Sequence, residues 1–174
     1  MNAHAAAGAA PPGAASRLYF AAAFVISIGV LAAALVSQHR FDMQPCPWCV
    51  LQRLIFMLIG LMALVGCLLR PGELRRAAAL LILLLAACGV AAALWQHVVA
   101  ASSTSCKLTL ADRIVGGLGL DGLWPEVFAA YATCAEASVN LMGVPYAMWS
   151  LAAFGLLGAV ALRLLPSVAA PGPR

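Results

Sequence analysis

A polar segment gives way to a long apolar one at Pro45-Cys46-Pro47-Trp48-Cys49-Val50-Leu51-Gln52-Arg53. Its two cysteines are separated by two residues, and such a pair can close into a small, reactive disulfide ring. At the start of a helix, the positive end of the helix dipole also favours the thiolate form. Arg53 follows Cys49 by one helical turn and adds a positive charge on the same face. This stretch therefore predicts a redox-active pair at the end of an apolar helix.

The composition indicates an integral membrane protein. The chain has 174 residues, of which 64% are hydrophobic and 9% charged, and its mean hydropathy is +0.99. A soluble domain is about half apolar and about a quarter charged. The net charge is +4, but the basic residues lie between apolar runs, so orientation in the bilayer explains them better than a nucleic-acid partner does.

Four apolar runs, each close to the roughly 20 residues that span a bilayer, predict an all-α membrane protein with a four-transmembrane-helix bundle. The predicted helices are 18–36, 50–69, 77–100 and 145–165, and together they form one domain, 18–165, between an N-terminal tail, 1–17, and a C-terminal tail, 166–174. The first run is longer than the roughly 7–15 apolar residues of a signal peptide. The loops are 37–48 and 102–143, and the pattern of 118–131 predicts a short amphipathic helix on the membrane surface.

The basic residues predict the orientation of the bundle. One side carries the larger group, Arg17, Arg70, Arg75, Arg76, Arg163 and Arg174. The positive-inside rule places that side, with both termini, in the cytoplasm. Loops 37–48 and 102–143 then share the outer face of the membrane, where disulfides can form and persist. Four of the six cysteines lie in these loops or at their edge, namely Cys46, Cys49, Cys106 and Cys134.

The spacing of the cysteines favours redox chemistry for Cys46 and Cys49. A structural zinc site needs further ligands at suitable spacing, which the sequence does not offer. A purely structural bridge over so small a loop would stabilise the fold little. For Cys106 and Cys134 two interpretations stay open at this point: a structural staple of the long loop, or a mobile disulfide offered to an outside protein dithiol.

Two ionisable residues lie at the same predicted depth as the first pair. Arg53 is in the first outer turn of the second helix, and His97 is in the last outer turn of the third. Such residues within membrane segments are functional candidates, although snorkelling of Arg53 and interfacial hydrogen bonding of His97 are simpler alternatives. With Cys49 they could line a pocket for a lipid-soluble oxidant. Cys67 and Cys88 fall inside apolar runs, as small core residues do.

Together these motifs resemble the bacterial disulfide bond formation protein B (DsbB) family. The resemblance rests on the four helices, Cys46-Pro47-Trp48-Cys49 with Arg53, Trp95-Gln96-His97, and the stretch 120–128 that leads to Cys134. It implies a thiol:quinone oxidoreductase that reoxidises DsbA, a periplasmic thioredoxin-fold dithiol oxidase. The electrons would pass to the membrane quinone pool, with ubiquinone as the expected cofactor and menaquinone as the alternative.

The resemblance also implies a role for each site residue. Disulfides would join Cys106 to Cys134 and Cys46 to Cys49. Cys106 would accept the attack of DsbA, Cys49 would face the quinone, Arg53 would stabilise negative charge, and His97 would help to hold the quinone ring. No metal is implied. This chain departs from some relatives in carrying Gln52 where they have an acidic residue.

Two other functions stay open. One is an enzyme that runs in the reverse direction, like the vitamin K epoxide reductase group, which also pairs loop cysteines with a Cys-x-x-Cys. The other is a non-enzymatic membrane scaffold stapled by two disulfides, which would not be reduced and reoxidised during turnover.

Overall fold

A computed structural model describes residues 12–70, 72–102 and 109–169 of the chain. Within these ranges four helices are long and apolar enough to cross a membrane: α1 (Pro12–Phe41), α2 (Pro47–Leu68), α3 (Glu73–Val98) and α7 (Tyr146–Ala169). The predicted all-α four-helix membrane bundle is therefore confirmed. We call the end of the bundle that carries Cys46 the outer end, and the end that carries the α2–α3 turn the inner end.

The first loop is shorter than the sequence predicts, because α1 continues to Phe41 rather than ending at residue 36. No glycine or proline interrupts 37–41, so nothing in the local sequence stops the helix there. Asp42 then adopts a positive φ of 52°, which ends α1. Cys46 is the N-cap of α2 and Pro47 occupies the first turn, which places Cys49 in that turn as well.

The bundle is closed because α1 and α3 each pack against both α2 and α7. Its core contains a stacked pair of rings, Phe56 and Phe154, with centroids 3.9 Å apart. Two glycines allow close packing of rings: Gly89 lies against Phe154, and Gly66 lies against Phe20. A β-carbon at either glycine would collide with the ring, so these positions set how closely the helices approach.

The long loop folds over the outer end of α2. It forms α4 (Leu110–Gly117), α5 (Leu120–Leu123), α6 (Pro125–Phe128) and a two-stranded hairpin, β1 (Asn140–Leu141) with β2 (Val144–Pro145). The expected amphipathic helix over 118–131 is divided at Trp124, because Pro125 has no N–H with which to continue α5. The loop is anchored by a small apolar cluster of Val50, Val115, Val127 and Phe128.

Candidate functional site

Three thiols meet at the outer end of the bundle. The sulfur of Cys46 lies 3.2 Å from that of Cys49 and 2.8 Å from that of Cys134. The structure holds these three cysteines, which we call the thiol cluster, in the reduced form. Cys46 is fully buried between the other two. Cys46 can therefore exchange a disulfide bond with either neighbour after a small movement, since bonded sulfurs are about 2.05 Å apart.

Backbone hydrogen bonds bring Cys134 to the Cys-Pro-Trp-Cys turn. The N–H groups of Tyr131 and Ala132 donate to the carbonyl of Pro45, at 3.0 and 3.3 Å. Thr133 and Glu136 form a local cap, in which the Thr133 N–H donates to the Glu136 carboxylate at 2.8 Å. The two loops are thus joined beside the reactive sulfurs, although 88 residues separate Cys46 from Cys134.

The sulfurs of Cys134 and Cys46 differ in acidity. Their shared hydrogen bond lowers the pKa of Cys134, helped by the Trp48 backbone and opposed by burial. The same hydrogen bond raises the pKa of Cys46, as do its contact with Cys49 and its burial. Of these two thiols, Cys134 is therefore the one that loses its proton more readily. This polarity suits Cys134 to attack a disulfide that contains Cys46.

Cys49 has a second polar neighbour that the sequence did not assign. The side-chain amide of Gln96, on α3, donates to the Cys49 sulfur at 3.1 Å. The amide of Gln52 donates in turn to the Gln96 oxygen at 2.5 Å. The sequence feature that could have identified Gln52 and Gln96 is an amide side chain within an apolar helix. Such a group needs a hydrogen-bond partner inside the bundle.

Arg53 is almost completely buried, with 5% of its surface exposed. Its guanidinium donates to the side-chain oxygen of Gln38 at 2.7 Å and to the carbonyl of Val127 at 3.1 Å. Within 12–70, 72–102 and 109–169, no carboxylate lies within ion-pair distance of it. Cys49, one turn away, is the first of the groups whose negative form this buried charge stabilises, ahead of Tyr146 and Cys46.

A cavity of about 540 Å³ opens beside Cys49. Its polar lining includes Cys49, Gln52, Arg53 and Gln96, and its apolar lining includes Val30, Leu31 and Phe56. Further polar residues complete the lining: Asp42, Gln44, Tyr131, Glu136, Tyr146 and Ser150. This volume lies within the roughly 300–1,000 Å³ of small-molecule sites, which combine an apolar lining with a few polar groups. A flat, apolar ring with carbonyl oxygens, such as a quinone, fits this donor set.

The other predicted site residues lie elsewhere. His97 is exposed on α3 and is not part of the described lining, because one residue along a helix turns the side chain by about 100° from that of Gln96. Its contact with a quinone stays a prediction. Cys106 lies outside the described residues, and so does its predicted bond to Cys134. The predicted Cys46–Cys49 disulfide also stays a prediction. Cys67 and Cys88 do not reach the thiol cluster.

Comparison with known proteins gives a consistent result. The family model described as "Disulfide bond formation protein DsbB" matches residues 16–164. Disulfide bond formation protein B of Dechloromonas aromatica (strain RCB) is 30% identical over 152 residues, which cover 85% of this chain and 91% of the relative. Disulfide bond formation protein B 1 of Pseudomonas aeruginosa PAO1 is 33% identical over 147 residues, covering 82% and 90%. The corresponding protein B 1 of Pseudomonas syringae pv. syringae B728a is 34% identical over 134 residues, covering 76% and 79%.

Proposed function

Because this chain belongs to the DsbB family of disulfide bond formation proteins, we propose that it reoxidises a DsbA-like periplasmic oxidase and passes the electrons to a membrane quinone. Family membership makes it an oxidoreductase of disulfide bond formation and a multi-pass inner-membrane protein. One observation carries the finer proposal: the Cys49 sulfur touches the thiol cluster on one side and the 540 Å³ cavity on the other. Cys49 would therefore pass electrons from the protein thiols to a molecule bound in this cavity.

The proposed thiol exchange conserves electrons at each step. A thiolate of the reduced partner attacks Cys106 in the Cys106–Cys134 disulfide, which forms a mixed disulfide and releases Cys134 as a thiolate. Cys134 then attacks Cys46, forming a Cys134–Cys46 bond and releasing the Cys49 thiolate. The 2.8 Å separation of the two sulfurs and the lowered pKa of Cys134 support this second step.

The second thiolate of the partner protein then attacks the mixed disulfide, which releases the oxidised partner and the Cys106 thiolate. Cys106 then attacks Cys134, restoring the loop disulfide and releasing Cys46.

The acceptor side depends on the polar wall of the cavity. A bound quinone would take up two electrons and two protons. Arg53 holds the Cys49 thiolate by its positive charge, and its hydrogen bonds to α1 and α6 keep the guanidinium in place. Loss of the electron pair from Cys46 and Cys49 re-forms their disulfide, which returns the cluster to its starting state. Ubiquinone is the expected acceptor, with menaquinone as the alternative.

The proposed orientation places the thiol cluster in the periplasm and both termini in the cytoplasm. Arg17, Arg70, Arg76 and Arg163 lie toward the inner end, where the positive-inside rule expects cytoplasmic residues. The outer end then faces the compartment in which disulfides persist.

The test combines purified protein, reduced DsbA and a soluble ubiquinone analogue, with quinone absorbance as the readout. We expect rapid reduction of the quinone by the unaltered protein and none by Cys49→Ala. Cys67→Ala is the matched control, because Cys67 lies near the inner end of α2. Quinone reduction that survives Cys49→Ala would refute the mechanism, and turnover that survives Cys106→Ala would refute the entry step. A stapled scaffold would show no turnover in any form.

A further inference from the structure

Two buried amides connect α2 and α3 to the Cys49 sulfur. Gln52 and Gln96 are only 3% and 4% exposed. The Gln52 nitrogen donates to the Gln96 oxygen, and the Gln96 nitrogen donates to the Cys49 sulfur. Since a buried amide needs partners for both of its ends, this arrangement satisfies the oxygen and the nitrogen of Gln96 together.

The chemistry of a thiolate fixes the direction of these bonds. A thiolate can only accept a hydrogen bond, so Gln96 must turn its NH₂ group toward Cys49. The Gln96 oxygen then points at Gln52, which must present its own NH₂ group. Gln52 therefore favours the one orientation of Gln96 that serves a negatively charged sulfur.

We propose that Gln96 is a catalytic residue that stabilises the Cys49 thiolate through its donated N–H, and that Gln52 is the positioning residue that holds Gln96 in the donating orientation. The inference rests on the proposed function, in which Cys49 passes the electron pair onward. Neither amide titrates near neutral pH, so the donor is present whatever the protonation of its neighbours. Arg53 supplies charge, whereas Gln96 supplies a directed bond.

Other groups also act on Cys49, and the test must leave them unchanged. Among the described residues, the titratable or charged groups that act on it are Cys46, at 3.2 Å, Cys134 from the long loop, and Arg53 on its own helix. Four more titratable groups line the same cavity: Asp42, Tyr131, Glu136 and Tyr146. Substitution of the two amides by methionine removes the hydrogen bonds while keeping similar length and volume. All cysteines stay in place.

The experiment measures how fast iodoacetamide alkylates Cys49 at different pH values, in full-length, reduced, quinone-depleted protein, with peptide mass spectrometry as the readout. We expect Gln96→Met to move the midpoint of the pH profile up by about one unit, because the thiolate loses a donor. Gln52→Met should move it less, in the same direction. Gln52→Glu should raise the midpoint more than Gln52→Met does, since a carboxylate would draw the Gln96 N–H away from the sulfur. Leu61→Met is the control, because Leu61 lies on the same helix as Gln52 but is half exposed and does not line the cavity.

The results separate the two roles. An unchanged midpoint in Gln96→Met, with Cys67 alkylated as in the parent protein, overturns the role of Gln96. A Gln52→Glu shift that persists undiminished in a Gln96→Met background overturns the positioning role of Gln52. If Gln96→Met does not accumulate as folded protein, the two Gln52 variants decide the question, because the Gln52 amide bonds to Gln96. No quinone or DsbA is present, so failure here is distinct from failure of the proposed function.

Discussion

Two buried arginines occupy opposite ends of the bundle and are held in different ways. Arg53, at the outer end, donates to three oxygens and lies one turn from Cys49, where its charge favours the thiolate form. Arg75, at the inner end, is only 1% exposed, yet its Nε and Nη2 atoms have no hydrogen-bond partner among the residues that the structure describes. Its guanidinium instead lies over the Phe20 ring, 5.1 Å from the centroid.

The difference shows what burial of a charge does at each end. Oriented acceptors fix the Arg53 guanidinium precisely enough for it to act on one sulfur. Packing on an aromatic face attracts the Arg75 cation but leaves its donors without direction. We therefore expect the outer arginine to control chemistry, and the inner arginine to contribute to the packing of α1 against α3.

The largest expected effect follows from Arg53→Met. The Cys49 thiolate loses its facing positive charge, and α6 loses a hydrogen bond to its Val127 carbonyl. Because a hydrogen bond to a charged group contributes about 1.5–3 kcal/mol, kcat for quinone reduction should fall by roughly tenfold to hundredfold. Steady-state assays with reduced DsbA measure this change. A kcat that stays within about twofold of the parent value would contradict the inference that Arg53, unlike Arg75, controls the chemistry.

A second effect concerns the acidity of Cys134. In reduced protein, its alkylation midpoint should lie below the roughly 8.5 of a free thiol, because the bond to Cys46 lowers its pKa. Cys46→Ala removes that bond, so the midpoint should rise and alkylation of Cys134 at pH 7 should slow several-fold. Cys67→Ala, which alters a thiol near the inner end, is the control. Equal effects of the two substitutions would contradict the proposed polarity of the thiol cluster.

A third change disturbs the inner end alone. Gly66→Ala would place a β-carbon against the Phe20 ring and displace this ring, on which the Arg75 guanidinium packs. Overpacking of this kind costs about 1–3 kcal/mol of unfolding free energy, while kcat should stay near that of the parent. Thermal unfolding in detergent gives the measurement. Gly29→Ala is a matched helix substitution with open space at the β-carbon, and it should not destabilise the protein.

The smallest effect is expected from Arg75→Met. Replacing a buried cation whose donors lack partners by an apolar chain of similar length is often neutral, so kcat should remain within about twofold. The melting temperature should change by only a few degrees. Paired assays of Arg75→Met and Arg53→Met on one preparation compare the two ends directly. A loss of kcat equal to that of Arg53→Met would mean that the inner end also governs the chemistry.

The sequence predicted what depends on local pattern. Apolar runs of about 20 residues predicted the bundle, and Pro47 after Cys46 predicted a helix start that places Cys49 in the first turn. It did not predict the contact of Cys134 with Cys46, because that contact depends on the carbonyl of Pro45 accepting two N–H groups from a distant loop. Nor did it select Gln96 over its neighbour His97, since the rotation of α3 about its axis is set by packing against α2 and α7.

The thiol cluster is a row of three sulfurs, and this odd number limits how they can pair in disulfides. Three sulfurs cannot all pair with one another, so any disulfide within the row leaves one member without a partner in the row. Cys46 stands in the middle, and the bond changes sides when the thiolate on one side attacks the Cys46 sulfur and releases the sulfur on the other side as a thiolate. The 2.8 and 3.2 Å separations mean that this exchange needs only a small rotation of the Cys46 side chain. Side-chain rotation is among the faster protein motions, whereas loop rearrangement is slower. The row therefore behaves as a two-position switch whose leftover thiol records which side holds the bond.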